Sequence, residues 1–161
     1  MKVLWAPWRM EYILSDKSRG GCIFCAGNNR DEDEARRILY VGPLTMVMMN
    51  RFPYNNAHLL VVPLRHVPNM DSLSNEEMLD LLIIVRRSIG VLKNAMNPEG
   101  FNVGLNLGKT AGAGIEDHMH LHIVPRWNGD TNYMSVLGDV RVISEHIEET
   151  YHKLLPHFQE F

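Results

Sequence analysis

Residues 116–127 read Glu116-Asp117-His118-Met119-His120-Leu121-His122-Ile123-Val124-Pro125-Arg126-Trp127. Three histidines alternate with Met119, Leu121 and Ile123. A β-strand has a side-chain period of two, so this order puts the imidazoles on one face and the apolar residues on the other. With a rise of ~3.3 Å per residue, neighbouring imidazoles leave the backbone about 7 Å apart. That is wide enough for separate roles and close enough to act on one substrate. A lone strand histidine is ordinarily a satisfied polar residue; three in strict alternation ask for chemistry. Two chemistries are open. Two histidines at i and i+2, His118 and His120, could hold a catalytic zinc with a third ligand and a water position. Alternatively a neutral imidazole attacks phosphorus and forms a covalent intermediate.

Outward from this stretch the chain reads as alternating elements. Upstream lie three short β-like runs, Ile38 to Val41, Thr45 to Met49 and His58 to Val62, separated by Gly42-Pro43 and a turn at Pro53 to Asn56. Ser74 and Glu77 form a capping-box signature. Behind them Met78, Leu82, Val85, Ile89, Leu92 and Met96 recur at helical spacing until Pro98. Two more strands follow, Phe101 to Asn106 and His118 to Pro125, joined by a glycine-rich loop. Ile143, Ile147, Tyr151 and Leu154 predict a closing helix that ends near Pro156. The order β-β-β-α-β-β-α predicts an α+β fold: a mainly antiparallel five-stranded sheet, one long helix and a C-terminal helix.

Composition narrows the function classes. The chain has 161 residues and a formal charge of 16 − 19 = −3, so it lacks the basic surplus of a non-specific nucleic-acid binder. Its length suits one domain. With 45% hydrophobic and 22% charged residues it is neither disordered nor fibrous. No apolar run is long enough to span a bilayer. The opening MKVLWAPWRMEYI is interrupted by Pro7, Arg9 and Glu11, so it has no signal-peptide core. The mixed run Asn28 to Arg37 reads as a solvated loop or fraying helix. Two cysteines cannot build a disulfide framework, and the expected compartment is the reducing cytoplasm.

Those cysteines form a second motif, Cys22-Ile23-Phe24-Cys25. Two thiolates at this spacing are half of a tetrahedral zinc site. A redox pair would want a strand before it and a helix after it. Here Gly20-Gly21 precedes and a polar loop follows, which favours zinc.

Together these residues resemble the histidine triad (HIT) family of nucleotidyl hydrolases and transferases. His118-Met119-His120-Leu121-His122-Ile123-Val124 is similar to its His-φ-His-φ-His-φ-φ motif. Asn50-Arg51-Phe52-Pro53, with His58 eight residues after Asn50, resembles the dinucleoside-polyphosphate branch, and Phe101 to Gly114 its strand and glycine-rich loop. The opening LWAPWRMEYI, the GCIFC segment and the ending VPRW look most like bacterial diadenosine tetraphosphate phosphorylases and their uncharacterised relatives. The resemblance implies a single HIT domain over 1–161, with an N-terminal segment 1–37, a catalytic core 38–127 and a C-terminal segment 128–161.

The resemblance also implies roles. His120 becomes the nucleophile that attacks an α-phosphorus, and His122 and His58 donate to oxygens that gain charge. Cys22, Cys25, His66 and His118 become the ligands of a structural zinc, closed by four donors. Asn50 would bond ribose hydroxyls, and Asn106 the phosphates or the nucleophile's surroundings. Backbone amides of Ala111 to Ile115, including Gly112, Gly114 and Ile115, would face phosphate oxygens. Lys109, Arg51 and Arg126 are candidate local cations and Trp127 a candidate wall. His146, His152 and His157 read as surface residues. The loop Ala111-Gly112-Ala113-Gly114-Ile115 lacks the polar side chains of many family hydrolases, which agrees with the phosphorylase-like branch.

The implied substrate is an adenine dinucleoside polyphosphate, with water or phosphate as acceptor. The implied assembly is a homodimer that protects a sheet edge; nucleic acid and membrane are not expected partners. Rival readings are a nucleoside phosphoramidate hydrolase, a metal-dependent hydrolase with the triad on a catalytic zinc, and a non-catalytic nucleotide-binding protein.

Overall fold

The computed structural model describes residues 21–25, 30–130 and 142–161. The LWAPWRMEYI segment and Asn28 and Asn29 of the charged run lie outside the described residues. A single turn, α1 (Asp33–Arg36), precedes β1 (Ile38–Val41), β2 (Thr45–Met49), β3 (Leu59–Pro63), α2 (Asn75–Met96), β4 (Gly100–Leu105), β5 (Leu121–Arg126) and α3 (Ile147–Gln159). Arg37 ends α1 in the left-handed region at φ 57°. The five strands form one sheet in the order β1-β2-β3-β5-β4. Every neighbouring pair is antiparallel. This is the α+β architecture that the element order predicts.

The long helix begins as its signature requires. Glu77 N–H donates to Ser74 Oγ at 3.1 Å, and Ser74 N–H donates to Glu77 Oε2 at 2.7 Å. Arg65 closes on the same carboxylate with Nε 2.8 Å from Oε1 and Nη2 2.7 Å from Oε2. The Arg65 guanidinium, with the Ser74 amide, pulls the Glu77 carboxyl down to about 2. The helix stops at Asn97, in the left-handed region at φ 48°, just before Pro98. Its buried face is Leu81, Ile84, Val85, Ser88 and Leu92. Leu82 is 57% exposed, so the expected apolar stripe is rotated in its first half. The true seam passes through Ser88, a polar residue that an apolar pattern cannot register. The closing helix also differs from expectation: it starts after Ile143 and runs through Pro156 to Gln159. Buried Phe158 holds its last turn, and the Arg87 guanidinium sits 4.0 Å over the Phe161 ring.

Alternation in the strands builds two separate apolar layers. Leu39, Val47, Met49, Leu59, Val61, Leu121 and Ile123 pack with α2 and α3. Ile38, Met46, Met48, Leu60 and Val62 form a smaller cluster with Phe24 on the opposite face. Both faces of β2 and β3 are therefore buried. No helix among the described residues is long and apolar enough to cross a membrane.

Candidate functional site

The histidine stretch sits at one end of β5. The register pairs Leu59 with Ile123, Leu60 with His122 and Val61 with Leu121. The ladder begins at Leu121 rather than at His118, and β3 ends at Pro63, which has no N–H to continue it. Residues 118–120 are instead held piecewise. Met119 N–H donates to Val67 O at 2.8 Å, and the His118 ring donates from Nε2 to Pro63 O at 2.8 Å. The predicted alternation survives this change. Met119, Leu121 and Ile123 enter the helix-side core, while His118 and His120 meet Phe24 on the other face.

His118 belongs to a four-donor cluster. With its Nε2 proton given to Pro63 O, its Nδ1 lone pair faces Cys22 Sγ at 3.3 Å and Cys25 Sγ at 3.7 Å. His66 Nδ1 lies 3.2 Å from Cys25 Sγ. One donor atom from each of Cys22, Cys25, His66 and His118 falls within 4.8 Å of the others. Two sulfurs and two imidazole nitrogens are the donor set of a closed tetrahedral zinc site. Burial and the adjacent Cys22 thiol push the Cys25 thiol up, a direction that a shared cation reverses. The residues fit such an ion.

His120 is arranged differently. Its Nδ1 lies 3.1 Å from His118 O, a carbonyl that can only accept, so Nδ1 carries the proton and Nε2 the lone pair. Burial holds the ring below the ordinary histidine range, partly opposed by that carbonyl bond. The ring is therefore neutral with its lone pair on Nε2, the form a nucleophile needs.

A second tautomer chain reaches His122. Tyr54 N–H donates to His58 Nδ1 at 3.0 Å, which leaves the His58 proton on Nε2. That nitrogen lies 2.9 Å from His122 Nδ1, which must accept, so His122 is protonated on Nε2. His122 Nε2 is buried and has no hydrogen-bond partner among the described residues. Burial, with the nearby His120, pushes His122 down to about 4. A buried N–H without an acceptor costs roughly 1–3 kcal/mol. A substrate oxygen seated there would recover that cost. The His120 and His122 rings are 4.9 Å apart between centroids, at 63° to one another.

The remaining predicted residues divide. Asn50 joins the relay: Oδ1 accepts from Phe52 N–H at 3.0 Å and Nδ2 lies 3.3 Å from His58 Nδ1. β4 pairs Leu105 with Leu121, so Asn106 follows the last rung beside His120. Gly112 has φ 89°, and a Cβ there would stand 3.9 Å from Asn106 Nδ2. The expectation that amides of Ala111 to Ile115 face phosphate needs correction for Ala111, Gly112 and Ala113. Ala111 and Ala113 N–H donate to Gly108 O, and Gly112 N–H donates to Lys109 O at 3.0 Å. These amides close the loop on itself, so Gly112 contributes backbone shape rather than a donor. Ile115 packs against the Phe24 cluster. Arg126 is also spoken for: Nε and Nη2 grip Asp130 at 2.6 and 2.9 Å, and Nη1 donates to Asn102 at 2.9 Å. Trp127 Nε1 donates to Met96 O at 3.3 Å. His146, expected as plain surface, caps α3 by accepting from Glu148 N–H at 3.4 Å.

Sequence reasoning missed two aromatic residues. The Tyr54 ring stacks on His122 at 5.7 Å and 18°, and its amide sets the His58 tautomer. Phe24 meets His120 at 4.7 Å. Adjacency to the motifs was visible, four residues before His58 and inside the Cys pair; contact was not.

The antiparallel sheet thus sets a neutral imidazole, His120, two residues along the chain from a histidine of a Cys2His2 donor set. The HIT domain family model matches residues 31–129, and the chain belongs to that family. It is 36% identical over 154 residues to an AP-4-A phosphorylase of Mycobacterium tuberculosis, covering 91% of this chain and 79% of that protein. A bis(5'-adenosyl)-triphosphatase of Dictyostelium discoideum is 32% identical over 129 residues, 76% of this chain and 86% of that one. Among solved structures, a histidine triad nucleotide-binding protein of Sulfolobus tokodaii superposes with TM-score 0.64 at 24% identity, over 86% of this chain and 90% of that one. A Zn-bound histidine triad family protein of Mycobacterium smegmatis gives TM-score 0.62 at 22% identity, over 76% and 84%. The last two show likeness of fold.

Proposed function

We propose that this protein cleaves dinucleoside polyphosphates such as diadenosine tetraphosphate at an α-phosphorus, through a nucleotidyl group carried on His120. The carrying observation is the pairing of a neutral His120, its Nδ1 proton fixed on His118 O, with a buried His122 Nε2–H that has no partner among the described residues. In the first step the His120 Nε2 lone pair forms a P–N bond and the P–O bond to the remaining polyphosphate breaks, its electrons leaving with that oxygen. His122 Nε2–H donates to an oxygen that gains charge, and His58 keeps that proton in place from the other side. In the second step water or inorganic phosphate supplies an oxygen to phosphorus, the P–N bond breaks and neutral His120 returns. Likeness to the M. tuberculosis phosphorylase supports phosphate as the acceptor.

Cys22, Cys25, His66 and His118 would hold a zinc ion, which in a closed four-donor site supplies rigidity rather than a reactive water. The rival with His118 and His120 on one catalytic metal loses support. His118 turns its Nδ1 to the sulfurs, whereas His120 binds a backbone carbonyl. The half-exposed outer strand β4, with Val103 46% exposed, supports the expected homodimer.

The test is incubation with diadenosine tetraphosphate with and without phosphate. ADP plus ATP with phosphate identifies a phosphorylase, and AMP plus ATP a hydrolase. A nucleotide mass adduct that maps to His120 is the expected intermediate. Undiminished turnover in His120→Ala overturns the mechanism.

A further inference from the structure

Phe24 stands between the two halves of the site. Within Cys22-Ile23-Phe24-Cys25, Ile23 is 55% exposed and Phe24 only 2%. Cys25 N–H closes the turn on Cys22 O at 3.0 Å, and the Arg36 guanidinium donates to Ile23 O at 2.6 Å. The turn therefore sends its sulfurs to His66 and His118 and its aromatic ring onto the sheet. That ring lies edge-on to His118 at 5.6 Å and 81°, and tilted against His120 at 4.7 Å and 47°.

A buried phenylalanine is ordinarily plain core, and this one does pack with Met46 and Leu60. Its other contact is unlike core. The only hydrogen bond described for the His120 ring is to His118 O. One bond to a ring leaves its swing about Cα–Cβ and Cβ–Cγ soft, and a close aromatic neighbour blocks that swing. Attack on phosphorus requires the lone pair aligned within about 3–3.5 Å, and small misplacement costs rate steeply.

We propose that Phe24 is a positioning residue for His120, and that the Cys22–Cys25 turn influences the reaction through this ring. The inference rests on the reading of His120 as nucleophile. A cation held by Cys22, Cys25, His66 and His118 would fix the turn and, with it, the ring against His120. The cluster thereby acquires a role in turnover although it offers no open coordination position.

The experiment uses the full-length, zinc-loaded protein and its Phe24→Leu variant, which keeps apolar volume but removes the ring. Zinc content, kcat and KM for diadenosine tetraphosphate, and the imidazole Nδ1–H resonance of His120 in ¹⁵N-histidine spectra are compared. The variant is expected to hold zinc, keep KM within about twofold and lose kcat by about 10- to 100-fold. The His120 Nδ1–H resonance, sharp in the parent because of its carbonyl bond, is expected to broaden away. Chelation of the parent should remove the same resonance. A zinc-loaded variant with parental kcat or with a parental resonance overturns the proposal, as does a parent that never shows the resonance. If the leucine variant does not fold, Phe24→Met is judged by the same criteria. If the parent cleaves no dinucleotide, the proposed function fails, and the resonance comparison alone still decides the role of Phe24.

Discussion

The two faces of the sheet are built by the same strands and do different work. On the helix side, Leu59, Val61, Leu121 and Ile123 meet Leu81, Ile84, Leu92 and Leu154 in an aliphatic layer. On the other side, His58, His120 and His122 stand among Leu60, Met48 and Phe24. Successive residues of β3 and β5 serve opposite faces, so one face is aliphatic and the other sets the histidines beside a smaller apolar cluster that includes Leu60 and Val62. The helix layer supplies the non-directional stability, at roughly 1.5–3 kcal/mol per fully buried aliphatic side chain. The site face draws on that reserve to bury the His58 and His120 rings and to leave His122 Nε2–H without a partner among the described residues.

Substitutions should separate the two faces. The largest effect is expected from His120→Ala, which should lower turnover by at least about 10⁴-fold with an unchanged thermal midpoint, as read by product assay and calorimetry. His122→Phe removes the poised donor and should cost about 10²–10³ in kcat; a loss under threefold would sink its assigned role. Leu92→Ala, across the sheet, should reverse the pattern. It is expected to cost roughly 2–5 kcal/mol in denaturant unfolding while kcat at moderate temperature stays within about twofold.

Acid should distinguish the faces as well. His122 is held down to about 4, against an unfolded value near 6.5, so the unfolded chain takes the proton first. Its contribution to stability is complete above pH 6.5 and is lost as pH falls from there to about 4. The slope of unfolding midpoint against pH across this window should flatten in His122→Phe. The smallest effect is expected for Ser74→Ala at the start of α2, about 1 kcal/mol of stability and no change in turnover.

Local signals were legible where the physics is local. The capping box, the helix stop before Pro98 and the His-x-His-x-His alternation depend on a few adjacent residues, and all three hold. Signals failed where a distant partner decides. Pro156 marks no helix end because Phe158 is buried beyond it, and Leu82 is exposed because the seam runs through Ser88. Arg126 and Trp127 were candidates for the substrate side until Asp130 and Met96 O claimed them.

The sequence by itself determined the strand period that sorts histidines from aliphatics, the cysteine spacing and the family, because these are properties of neighbouring residues. Only the tertiary structure decided which nitrogen of each histidine carries the proton. That choice rests on Pro63 O, His118 O and Tyr54 N–H, backbone groups that every sequence has and only a fold can aim. It likewise placed Phe24 on His120, a contact across 96 residues that the folded Cys22–Cys25 turn creates.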